Sequence, residues 1–330
     1  MAESEIMQTY PSGPEGRLID YWDRPVRKLV VLEAPNLEAG QRERHAIYSL
    51  LVMALVSAYW NGNKRGPSGD YPWRKKQRDA SGRYLGDTYF GHNIAAVAVD
   101  AAGRVIDFDF NHNDLMNSSV EHAESRLVRR VFSLTQIYAN WFTRAADPSS
   151  SAVPYSTLLS DVTIYTSLES CSQCSGIMAL GSVKEVVFLQ RDPGQNSIGN
   201  ILRNLGPIAG RYLPPLPLPA NMFDFKYFEC LVDAFRRFEA GVGVTPFYTS
   251  PEGTVDSAPS ITSFLCTDDA RDFFSSARRD LESLSLKYPT FTPKLEAEKV
   301  ALPNIEVLEH VKRFLSYASV SGHRGTPHTL

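Results

Sequence analysis

One histidine, one glutamate and two cysteines constrain this chain more than any other feature. His122-Ala123-Glu124 is followed, well downstream, by Cys171-Ser172-Gln173-Cys174. One imidazole and two thiolates are good zinc donors, and a zinc with three protein ligands keeps a fourth position open for water, the mark of a catalytic centre. Glu124 sits two residues from His122, close enough to move protons beside the metal without ligating it. A fold that uses these residues together must bring two distant segments to one point.

The composition is consistent with such a fold. The chain has 330 residues, 43% of them apolar, enough to bury a substantial core. Four cysteines are too few for a disulfide scaffold in a chain of this length. Cys171 and Cys174 must stay reduced to hold a metal, and Cys230 and Cys266 are expected as buried core thiols. The opening residues MAESEIMQTY lack the basic start and apolar run of a secretory signal. The longest apolar stretch, Tyr48 to Trp60, is too short to span a bilayer. A cytoplasmic protein that does not act at a membrane is expected. A formal charge of −3 gives no global nucleic-acid signature.

Along the chain, prolines at 11, 14, 25 and 35 make residues 1–36 an irregular lead-in. Residues from Leu37 to about Asn61 read as a helix, polar at first and strongly apolar in its second half. Residues 64–83 hold seven basic side chains against Asp70 and Asp79, a local charge of +5, interleaved with Tyr71 and Trp73. They form either a solvated loop or a phosphate-contacting loop with stacking aromatics. A hairpin follows: Ile94–Val99, a turn at Asp100-Ala101-Ala102-Gly103, and Arg104–Phe110. Ser118 or Ser119 is expected to cap a helix from about Val120 to Phe142, which places His122 and Glu124 in its first turn. Residues 143–160 read as a surface loop, Val162–Thr166 as a strand, Cys171–Gly181 as a helix, Glu185–Leu189 as a strand and Ile198–Leu205 as a helix. This alternation implies an α/β sandwich around one sheet. The Pro-rich run from Leu213 to Pro219 reads as a connector and domain boundary. Beyond it, helices are expected at about 224–239, 268–286 and 305–318, with a loop at 240–264 and a frayed end at 319–330.

The context of the two half-motifs carries the resemblance. A β-hairpin precedes His-Ala-Glu at a helix start, and a strand runs directly into the two cysteines at another. Residues from about 92 to 205 resemble the zinc-dependent cytidine and deoxycytidylate deaminase superfamily. The segment TSLESCSQCSGIMAL from Thr166 to Leu180, with Val183–Val187 after it, is similar to the branch that includes tRNA-adenosine and cytosine deaminases. The resemblance implies a three-layer α/β/α sandwich around one mixed sheet, here with a helical C-terminal extension. It implies Zn²⁺ held by His122, Cys171 and Cys174, with Glu124 as the catalytic proton shuttle. It further implies substrate contacts from Asn111 and the backbone of Ala123, and association of subunits into a homo-oligomer. One departure stands out: the family places proline before the first cysteine, where this chain has Ser170.

The expected organisation is thus a lead-in over 1–36, a zinc domain over 37–210 with a basic insertion at 64–83, and a mostly helical region over 220–330. The expected activity is hydrolytic deamination of a nucleobase. The substrate is either a base-containing small molecule or a base within single-stranded RNA or DNA. The alternative is a zinc-bearing interaction protein that uses the fold only as a scaffold. His45 is expected to be structural, His92 to be a loop residue near the pocket, and His112 to be a minor candidate for reaching a substrate phosphate.

Overall fold

In the computed structural model, the described residues are 26–33, 35–62, 91–113, 116, 118–143, 159–209, 214–242, 248–249, 255–256, 260–295 and 300–321. The basic segment 64–83, most of the loop at 143–160 and most of the end at 319–330 lie outside them. Helices α1 (Val26–Leu29) and α2 (Ala39–Ala58) precede a hairpin of β1 (Ala95–Val99) and β2 (Val105–Phe110). Next come α3 (Ala123–Thr143), β3 (Thr163–Thr166), α4 (Ser172–Leu180), β4 (Glu185–Phe188), α5 (Ile198–Ala209) and β5 (Leu216–Pro219). The C-terminal part holds α6 (Lys226–Val242), β6 (Tyr248–Thr249), β7 (Val255–Asp256), α7 (Ile261–Phe264), α8 (Asp268–Ser283) and α9 (Asn304–Ser321).

Five strands form one mixed sheet in the order β2-β1-β3-β4-β5. The hairpin β1–β2 and the pair β1–β3 are antiparallel, while β3, β4 and β5 run parallel. Parallel neighbours need helical crossovers, and α4 and α5 supply them on one face of the sheet. Side-chain alternation along β3 separates the two faces. Tyr165 points to α2, bonding His45 at 2.9 Å, while Thr166 points to α3 and bonds Glu124 at 3.0 Å. In β2, Phe108 packs against Phe314 of α9, while Asp107 and Asp109 face α3, where Arg130 reaches them at 2.6 and 2.9 Å. Arg126, whose Nε lies 3.2 Å from Asp109, and Arg130 therefore pin α3 onto the sheet. The fold is the expected α/β/α sandwich.

Helix α2 explains the role of the C-terminal helices. From Ile47 to Val56 every residue is buried. A helix apolar all round must be covered on all sides. The sheet covers one side and α8 and α9 cover the other. Phe274 of α8 lies 5.9 Å from the Trp60 ring, and the Tyr59 hydroxyl donates to the Ala318 carbonyl of α9. The helical region is thus an additional layer sharing one hydrophobic core with the sheet.

A polar latch fixes this layer. Arg44 is buried and donates to the carbonyls of Leu302 at 2.8 Å and Ala102 at 3.1 Å, and to Asn304 Oδ1 at 3.3 Å. Tyr48 donates to the Gly103 carbonyl at 2.6 Å. Gly103 has φ +95°, and a Cβ there would run into the Arg44 guanidinium, so only glycine suits the turn. Arg44→Met keeps the stem but leaves these acceptors without a donor. We expect it to destabilise the chain by about 2–3 kcal/mol in urea unfolding.

Four expectations need correction. Helix α3 begins at Ala123, not Val120, because neither Ser118 nor Ser119 caps it. Ser118 Oγ accepts from Val120 N at 3.4 Å, and the Ala123 N–H is taken instead by Asn111 Oδ1 at 2.8 Å, from the end of β2. The carbonyl of His122 accepts from Arg126 N, so His122 occupies the cap position and Glu124 lies in the first turn. Second, the Pro-rich run is not a connector: Leu216–Pro219 is the fifth strand. Leu216 N donates to the Lys184 carbonyl, so the nitrogens of Pro217 and Pro219 face away from β4, where no donor is needed. Third, the segment 240–264 holds β6, β7 and the buried turn α7 rather than a plain loop. Fourth, Cys266 is buried as expected but Cys230 is exposed, on the outer side of α6.

Candidate metal centre

Two helix starts meet at one point on the α3 side of the sheet. His122 precedes α3, and Cys171 caps α4, which follows directly from β3. His122 Nδ1 lies 3.3 Å from Cys171 Sγ and 3.6 Å from Cys174 Sγ. All three donor atoms lie within 4.8 Å of one another, the one such group found among the described residues. A tetrahedral zinc with ordinary Zn–N and Zn–S bonds separates its donors by roughly 3.5 Å. The donor set and the two nitrogen–sulfur separations therefore fit zinc.

The thiols carry unequal charge. The Cys171 thiol is pushed down to about 4, chiefly by its hydrogen bond with Cys174, with His122 adding to the effect. The same bond, with burial, pushes Cys174 up. The imidazole of His122 is raised by its bond to Cys171. Around the donors, Ser125 Oγ lies 3.3 Å from Cys174 Sγ, and Gln173 Nε2 donates to Ser125 Oγ at 3.0 Å. These contacts orient the ligands from outside, as the partners of metal ligands commonly do.

Glu124 is buried beside the donors, and that burial raises its carboxyl pKa. Its Oε1 accepts from Thr166 Oγ1 at 3.0 Å and from Ser170 Oγ at 3.2 Å, and its Oε2 lies 3.5 Å from Cys174 Sγ. Two hydroxyls thus hold one oxygen, while the other stays on the side of the metal donors. The departure at Ser170 has a physical consequence here: a proline could not donate this bond. Ser170→Pro is expected to keep the metal donors but loosen Glu124, lowering turnover by about tenfold or less. The same zinc content with a reduced kcat in steady-state assays would show it.

These groups open onto a cavity of about 300 Å³, whose walls include Asn111, His122, Glu124 and Cys171. Ala123 is fully buried behind it, its N–H held by Asn111. The structure therefore brings all six sequence-selected residues together: Asn111, His122, Glu124 and Cys171 line the cavity, Cys174 is buried behind it against His122 and Glu124, and Ala123 is tied to Asn111 through its backbone. His92 lines the cavity as well. His112 does not: it is buried against Phe110 O at 2.8 Å and Asp109. Sequence reasoning missed Thr166 and Ser170 as partners of Glu124. It also missed Glu169 and Asp192 in the cavity wall, where the Glu169 carboxylate accepts from Asp192 N at 3.1 Å. No periodicity or motif spacing singles out such contacts.

A match to a known protein family agrees with this geometry. Residues 77–190 match the family described as the cytidine and deoxycytidylate deaminase zinc-binding region. Among solved structures, a tRNA deaminase studied for A-to-I editing at the wobble position is 19% identical, covering 38% of this chain and 82% of its own, with a TM-score of 0.27. A guanine deaminase from Nitrosomonas europaea is 20% identical, covering 42% of this chain and 75% of its own, with a TM-score of 0.24. No curated protein sequence matches the chain at a significant level. No described helix is long and apolar enough to cross a membrane. The segment that carries His122, Glu124, Cys171 and Cys174 is thus similar to the cytidine and deoxycytidylate deaminase zinc-binding region, with one histidine and two cysteines brought together as a candidate metal site.

Proposed function

We propose that this protein is a zinc-dependent hydrolase that removes a ring amine from a nucleobase. The observation that carries the reading is the convergence of His122, Cys171 and Cys174 beside a buried carboxylate in a cavity sized for one base or nucleoside. His122 Nδ1, Cys171 Sγ and Cys174 Sγ would hold the zinc. When bound, zinc supplies Lewis-acid activation of water. Glu124 Oε2 takes up a proton on the reacting side and delivers it to the ring nitrogen and then to the departing amine. Thr166 and Ser170 keep Oε1 engaged so that Oε2 does this work. Asn111 fixes the α3 start through Ala123 N and borders the cavity where the base would lie. The balance is hydrolytic: water adds at the amine-bearing carbon, the C–N bond breaks and ammonia leaves.

The base is presented either free, as a nucleoside or nucleotide, or within a single strand. The family match and the mixed character of the solved relatives support deamination without choosing among these. The test is ammonia release by the full-length, zinc-loaded chain across bases, nucleosides, nucleotides, oligonucleotides and transfer RNA. Activity that disappears on chelation and returns with zinc, for one substrate class, supports the proposal. Full zinc occupancy with no release from any class would refute it. Steep loss of affinity with rising salt would mark a substrate whose phosphates are tracked along the chain, whereas a lone base should be indifferent.

A further inference from the structure

The cavity is not built by the matched segment alone. Thr262, in α7 and far beyond residue 190, also lines it. In this turn Ile261, Ser263 and Phe264 are buried, while Thr262 is partly open. The turn has little freedom to move. Ser260 Oγ accepts from Ser263 N at 3.1 Å and lies 3.3 Å from Thr262 Oγ1, and Phe264 packs against Phe235 and Phe238 of α6 at 5.7 and 5.8 Å. The facing wall is fastened to the same turn. Asn93, buried between the cavity residues His92 and Ile94, donates through Nδ2 to the Leu265 carbonyl at 3.0 Å, and its Oδ1 accepts from Asn61 N at 2.7 Å. One side chain thus ties the end of α2, the cavity wall before β1 and the turn after α7 into a single unit.

We infer that Thr262 is a specificity-determining residue of this site, so that the C-terminal region helps decide which base-bearing substrate enters. The inference rests on the proposed deaminase reading and deepens it. A threonine hydroxyl offers one donor and two acceptors, suited to a ring edge or a sugar hydroxyl, and its methyl group sets the width of the wall. Asn93 acts through it as a positioning residue.

The test uses the full-length, zinc-loaded chain with Thr262→Val, which keeps the shape and removes the hydroxyl, and Thr262→Trp, which fills the space. With zinc content and melting temperature unchanged, Trp is expected to lower kcat/KM for the preferred substrate by about tenfold or more, mainly through KM, and Val to change the ratio between base and nucleoside. Ratios and KM values within twofold of wild type for both variants would overturn the inference. A second readout does not depend on turnover. In the presence of chelator, alkylation of Cys171, which lines the same cavity, should slow in the Trp variant, while the exposed Cys230 reacts at an unchanged rate. An unchanged Cys171 rate would overturn the placement of Thr262 in the wall. Slowed alkylation in a chain that releases no Glu124-dependent ammonia would instead keep the wall and remove the deaminase reading.

Discussion

Exchange of Glu124 for alanine is expected to lower the kcat of ammonia release by about 10²–10⁴-fold, the usual contribution of a positioned general acid–base group. The size of the effect follows from geometry. Thr166 and Ser170 donate to one carboxylate oxygen, and the other lies on the side of Cys174 and His122. Alanine leaves both hydroxyls without their acceptor and removes the carboxylate that lies against Cys174. The metal donors are not touched, so zinc content should stay at the wild-type value. That combination, measured by metal analysis beside steady-state kinetics, separates a proton shuttle from a ligand. His122→Ala, by contrast, should lower zinc content and activity together.

A chain ending before residue 260 is expected to fail to fold, although it retains every motif residue. The loss removes Phe264, Phe274, Leu281, Val307, Val311 and Leu315, most of them fully buried. Burial of each large apolar side chain is worth about 1.5–3 kcal/mol, so their loss matches or exceeds the ~5–15 kcal/mol net stability of an ordinary domain. It also uncovers the outer side of α2, apolar from Ile47 to Val56 except for Ser49 and Tyr48 OH. The truncated chain should be insoluble or bind a hydrophobic dye strongly. Soluble protein with a cooperative melting transition and bound zinc would contradict the single shared core.

Some of this was legible in the residues alone. The chemistry of His122, Glu124, Cys171 and Cys174 is intrinsic to their side chains, and the hairpin before them follows from an apolar run, a glycine-closed turn and a second strand. The strongly apolar second half of α2 was visible too, and a helix of that kind demands cover. The identity of that cover was not, because Phe274 and Trp60 are joined only through the fold. The Pro-rich run misled for a physical reason: proline breaks a central strand but not an edge whose nitrogens face outward. The start of α3 was misplaced because its cap comes from Asn111, across a strand end, rather than from the neighbouring serines. The role of Ser170 was not legible, because its hydroxyl meets Glu124 only through the fold.

The most direct measurement is conversion of the base panel by the full-length, zinc-loaded chain in oxygen-18 water, with Glu124→Ala alongside. The account predicts that one substrate class gains a heavy oxygen at the ring carbon that loses its amine, with ammonia released in equal amount, and that the alanine variant does neither. A zinc-saturated chain that converts no base, or that converts one equally well without Glu124, would contradict it.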